Sequence, residues 1–86
     1  QLVVSTRLSM KNTRLSHSYN ELIEMLVEAR RERKLSQPEL ANIIGCTESL
    51  IHKWEQHKRV PSGFFLMCWL EALDYEIEVT KKKRND

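Results

Sequence analysis

Between residues 35 and 62 (LSQPELANIIGCTESLIHKWEQHKRVPS) the apolar positions keep a helical register that a single turn interrupts. Ser36 and Glu39, three residues apart, form a capping box, and Pro38 stands in the first turn, where its missing N–H has no helical acceptor to lose. The spacing predicts a helix from about Gln37 with Leu40, Ala41 and Ile44 as its buried stripe, ended by Gly45 in a left-handed conformation. Thr47 caps a second helix. Its inner face is Ile51 and Trp54, and Glu48, Ser49, His52, Lys53 and Gln56 point outward. That outward set is polar, mixed and short-reaching, as groove readout requires, whereas a face that only needs to be soluble more often carries long charged residues in i,i+4 pairs.

The flanks continue the pattern. A helix is predicted over residues 18–34, with Ser18 as cap, Glu21 three residues on, and Leu22, Ile23, Leu26 and Ala29 as its core face. A fourth helix follows Ser62, carries residues 64–73 and ends near Asp74. Residues 75–80 (YEIEVT) alternate apolar and polar, which predicts a strand. A lone strand leaves its ladder donors and acceptors without partners. Either the N-terminal LVVS pairs with it in the same chain, or the same strand of a second subunit does so antiparallel about a two-fold axis, with Tyr75, Ile77 and Val79 on one face. The run from Phe64 through Met67 and Cys68 to Leu70 is apolar on every side, and one small core covers only part of it. Both features favour a homodimer, with Phe64, Met67, Cys68, Tyr75, Ile77 and Val79 at its interface.

The expected organisation is a tail over 1–17, a helical domain over 18–74 built around the two-helix unit, a dimerisation strand over 75–80 and a basic tail over 81–86. MKNTRL from Met10 reads like a natural start, so residues 1–9 are expected to be vector-derived or an upstream extension. With 86 residues the chain buries a modest core and gains stability by self-association. Net charge is only +2, so position matters more than balance. Arg7, Lys11 and Arg14 lie on the N-terminal tail; Arg30, Arg31, Arg33 and Lys34 end the first helix; Lys58 and Arg59 follow the outward-facing one; residues 81–84 are basic.

The opening residues hold neither a signal peptide nor a membrane segment, so a cytoplasmic protein is expected. Cys46 and Cys68 fit a reducing compartment and buried apolar positions. Cys46, His52 and His57 match no common zinc spacing, so no metal and no cofactor is expected. Nothing arranges a catalytic triad, a carboxylate pair or a phosphate loop, and the chain reads as a non-enzyme. Trp54 and Trp69 fall on core stripes rather than on a base-stacking surface.

These residues resemble the helix-turn-helix family of lambda repressor, Cro and related bacterial regulators of the XRE type. The resemblance runs from about Leu22 to Leu73 and rests on Ala41 where two helices pack closely, Gly45 and Cys46 in the turn, and Ile51 inside the second helix. Residues 26–37 (LVEARRERKLSQ) resemble the family's first helix, and 59–62 (RVPS) its lead into the fourth. The implied fold is all-α, with four to five helices and the short C-terminal strand. The implied function is a double-stranded DNA-binding regulator, or else an antitoxin or adaptor whose main partner is a protein such as a toxin. By the same resemblance Gln37 holds a phosphate, and Thr47, Lys58 and Arg59 lie on the phosphate side. Glu48, Ser49, His52 and Lys53 occupy the base-reading positions, and Leu50 touches a thymine methyl. Glu48 departs from the family's frequent Gln or Ser: it either accepts from cytosine N4 or complements the helix dipole. Lys53 reads guanine or holds phosphate. Arg30 and Glu55 match a structural ion pair. Lys34 and His57 stand where the family often has Gly, so either both adopt a strained positive φ or the loops differ slightly from the family's.

Overall fold

The computed structural model describes residues 2–3 and 12–16 as backbone, and residues 17–79 and 81 with their side chains. The tail cations Arg7 and Lys11, the Arg14 side chain, Thr80 and residues 82–84 lie outside the described residues. In chain order the elements are β1 (Leu2–Val3), α1 (Asn12–Glu32), α2 (Gln37–Ile44), α3 (Glu48–Glu55), α4 (Gly63–Ala72) and β2 (Ile77–Glu78). The fold is all-α, with four helices among the described residues and a short C-terminal strand.

The helix α1 begins six residues before the predicted start at Ser18, inside the expected tail. The carboxylate of Glu21, assigned from its spacing to a capping box, pairs instead with His17 Nε2 at 2.8 Å, one turn earlier. With neither Gly nor Pro over residues 12–18, nothing halts the helix at Ser18. The starts of α2 and α3 carry the predicted caps, and Ser62 Oγ accepts from the Phe65 N–H at 3.1 Å to open α4.

All four helices close alike. An N–H two or three residues past each helix end turns back to a carbonyl five residues earlier: Leu35 to Arg30, Cys46 to Ala41, Lys58 to Lys53 and Tyr75 to Leu70, at 2.8 to 3.1 Å. Such closures put the preceding residue in the left-handed region, at Lys34 (φ 57°), Gly45 (88°), His57 (59°) and Asp74 (60°). Only one of the four is glycine. Of the two alternatives left open for Lys34 and His57, the structure shows positive φ, and Asp74 joins them.

Leu22, Ile23, Leu26 and Ala29 of α1, Leu40 and Ala41 of α2, Ile51 and Trp54 of α3, and Trp69, Leu70 and Leu73 at the end of α4 form one buried cluster. Each fully buried aliphatic side chain here contributes about 1.5 to 3 kcal/mol. Trp54 sits at the centre, its ring 5.7 Å from Trp69 and 5.6 Å from Phe65. Both tryptophans are core, as their stripes predict.

The strand differs from the expectation of a cross-subunit pair. Its partner is in the same chain and parallel, Leu2 opposite Ile77 and Val3 opposite Glu78. Only two residues form β2, because the Tyr75 N–H completes the end of α4 and so starts no ladder. Tyr75 and Ile77 are half-buried against the chain's own core, while Val79 is exposed.

Candidate nucleic-acid interface

Local chemistry fixes the unit from α2 through the turn to α3. Ser36 Oγ accepts from the Glu39 N–H at 3.1 Å, and Glu39 Oε1 accepts from the Ser36 N–H at 3.0 Å. The Ser36 backbone N–H and then its hydroxyl hold the Glu39 carboxyl below the usual range. Gly45 ends α2 with open space around the place a Cβ would occupy, so its φ of 88° alone calls for glycine. Thr47 Oγ1 then accepts from the Leu50 N–H at 3.4 Å and starts α3. Ile51 and Trp54 turn inward, and Glu48, Ser49, His52, Lys53 and Gln56 are all exposed. None of those five side chains pairs with another side chain among the described residues. Leu50 is half-buried and packs against the core.

Beneath this face lies a network joining three helices. The Arg30 guanidinium grips the Glu55 carboxylate side-on, Nε to Oε2 at 2.6 Å and Nη2 to Oε1 at 2.9 Å, while Nη1 donates to the Leu35 carbonyl at 2.8 Å. Side-chain exposure is 11% for Arg30 and 5% for Glu55. Gln37, the first residue of α2, donates Nε2 to the same Glu55 Oε1 at 2.9 Å. The amide expected to hold phosphate is therefore half-buried and engaged within the protein. No sequence pattern signals this bond; its partners lie eighteen residues apart, at opposite ends of two helices.

Position also sorts the cations. Arg30 is buried, and Arg33 pairs with Asp74 at 2.8 Å, so neither is an open phosphate contact. Arg31 and Lys34 at the end of α1, and Lys58, Arg59 and Lys53 around α3, stay exposed. A groove between α1 and the end of α3 is lined by Glu24, Glu28, Glu32 and Glu55, with Arg31 and His57, and its carboxylates disfavour phosphate.

The expected interface residues divide. Phe64 and Met67 lie one helical turn apart on α4 at 74% and 50% exposure, and Val60, just before α4 in the chain, is 73% exposed. Cys68, like Cys46, is half-buried rather than buried, and both are free thiols. Burial pushes the Cys46 thiol up, away from a ligand thiolate. Among the described residues no three His, Cys, Asp or Glu side chains gather as a metal site, and no helix is long and apolar enough to cross a membrane.

Comparison with known proteins returns one family and no individual relative. No curated protein and no solved structure matches the chain. A family model described as helix-turn-helix matches residues 26–79, from the middle of α1 to just past β2. That span holds the capped α2, the glycine turn, the polar face of α3 and the Arg30–Glu55 network, and the chain belongs to the helix-turn-helix family of DNA-binding regulators of the lambda repressor and XRE type.

Proposed function

We propose that this chain is a transcriptional repressor that reads double-stranded operator DNA through α3 and binds as a homodimer. The observation that carries the reading is the exposed, unpartnered row Glu48, Ser49, His52, Lys53 and Gln56, held on a helix whose other side is locked into the core. Glu48 and Ser49, nearest the helix N-terminus, meet base edges, with Glu48 accepting from cytosine N4; His52 and Lys53 extend the reading along the groove. Phosphates are held by Thr47, Lys58 and Arg59 and by the backbone N–H of Gln37 at the start of α2. Two copies packed through the Val60, Phe64 and Met67 stripe would place two α3 helices on half-sites about 34 Å apart.

Selection of bound duplexes from a random pool, followed by salt titration on the enriched sequence, tests this. A two-fold-related pair of enriched half-sites is expected. Recovery of no preferred sequence would refute it. The same apolar stripe favours a second reading, in which it docks a protein such as a toxin and DNA binding serves autoregulation. Sedimentation of the chain alone separates the two, because a dimer has its stripe already covered.

A further inference from the structure

We propose that the side chain of Gln37 is a positioning residue for base recognition, a brace between α2 and α3 rather than a phosphate clamp; this rests on the DNA-reading function proposed above. The helix-turn-helix is joined covalently at one end only, where residues 45–47 connect the end of α2 to the start of α3. At its other end the first residue of α2, Gln37, donates to the last residue of α3, Glu55. The unit is thereby closed at both ends, and α3 has no free pivot about the turn.

The acceptor is well held. Glu55 Oε1 takes both the Gln37 and the Arg30 bond, each at 2.9 Å, and Oε2 takes the second Arg30 bond, so α1 anchors the carboxylate that Gln37 grips. The start of α2 has few donors to spare. Pro38 has no N–H and the Glu39 N–H is held by Ser36, which leaves the Gln37 backbone N–H as the first-turn donor open to a phosphate. A phosphate seated there fixes the start of α2, and the side chain of the same residue passes that constraint to the far end of α3. Glu48 and Ser49 lie beside the turn, whereas Lys53 lies one to two turns away, where a small rotation displaces a side chain furthest.

Replacement of Gln37 by methionine keeps the length and removes the donor. Affinity of Gln37→Met for the selected duplex should fall roughly three- to tenfold, the range set by one ordinary net hydrogen bond, with affinity for random duplex unchanged. Equal loss on both duplexes would make the side chain a phosphate contact and overturn the proposal, and so would no loss on either. A chain that selects no duplex at all would overturn the functional reading and this inference together. If Gln37→Met does not fold, the unaltered chain decides by nuclear magnetic resonance. A Gln37 side-chain amide protected from solvent exchange in both free and DNA-bound chain is expected; one that exchanges freely without DNA and is protected only with it would refute the brace.

Discussion

Truncation of Glu55 to alanine should cost about 3 to 5 kcal/mol, because it strips a nearly buried guanidinium of its counter-charge. Arg30 is 9% exposed, and Nε and Nη2 would lose their acceptors while only Nη1 kept the Leu35 carbonyl. Gln37 would lose its partner in the same stroke. A chain of 86 residues has about 4 to 13 kcal/mol of stability in all, so the variant should lose a large share of it. The reverse asymmetry sharpens the test. Replacing both partners by apolar residues of similar size, Arg30→Met with Glu55→Leu, leaves no buried charge and should recover most of the loss. Urea titrations followed by circular dichroism measure all three proteins. A Glu55→Ala chain within about 1 kcal/mol of the parent, or a double replacement as damaged as the single, would refute the argument.

Lys53→Ala should lose about 1 to 3 kcal/mol on the selected duplex alone, whereas Lys58→Ala and Arg59→Ala should weaken every duplex and each lower the salt slope by about one counterion. Equal loss on both duplexes for Lys53→Ala would end its reading role. Lys34→Gly and His57→Gly should each stabilise by about 0.5 to 1 kcal/mol in thermal melts, since glycine relieves a left-handed backbone at a smaller entropic cost. The Glu39 carboxyl is lowered in the folded chain, so its contribution is complete above the unfolded carboxylate range and is lost as pH falls through the folded value. Glu39→Gln should therefore melt with a weaker acid dependence than the parent, and an unchanged dependence would deny the capping box that role. Phe64→Glu with Met67→Glu should sediment as a monomer and lose affinity only on a duplex carrying both half-sites, without which the α4 stripe is not the dimer seam.

What could be read from the sequence was local. The start of α2, its glycine stop and the cap of α3 each depend on residues within four positions of one another, and all appear as the spacing predicts. The start of α1 failed on the same kind of signal, because a glutamate three residues after a serine is equally one turn after a histidine. The partner of β2 was open because a strand's ladder is satisfied equally well within a chain or across two. At the candidate site, periodicity gave the exposed row on α3, and family resemblance supplied the Arg30 and Glu55 positions. The Gln37 bond could be read from neither, since an amide's acceptor is chosen by tertiary proximity. Arg33 likewise looked like part of a basic run until α4 brought Asp74 beside it.

The paired indoles in the core decide what light reports about this molecule. Trp54 and Trp69, the two tryptophans of the chain, lie 5.7 Å apart between ring centroids and tilted by 31° in one buried cluster, so emission follows the α3–α4 seam as a single optical unit. Far-ultraviolet dichroism is weighted instead toward α1, whose 21 residues outnumber those of α2 and α3 together. Fluorescence and dichroism thus watch different halves of one small protein. Melting curves from the two that separate would place unravelling of α1 ahead of core rupture, and a change in emission on adding DNA would register strain reaching the core from α3.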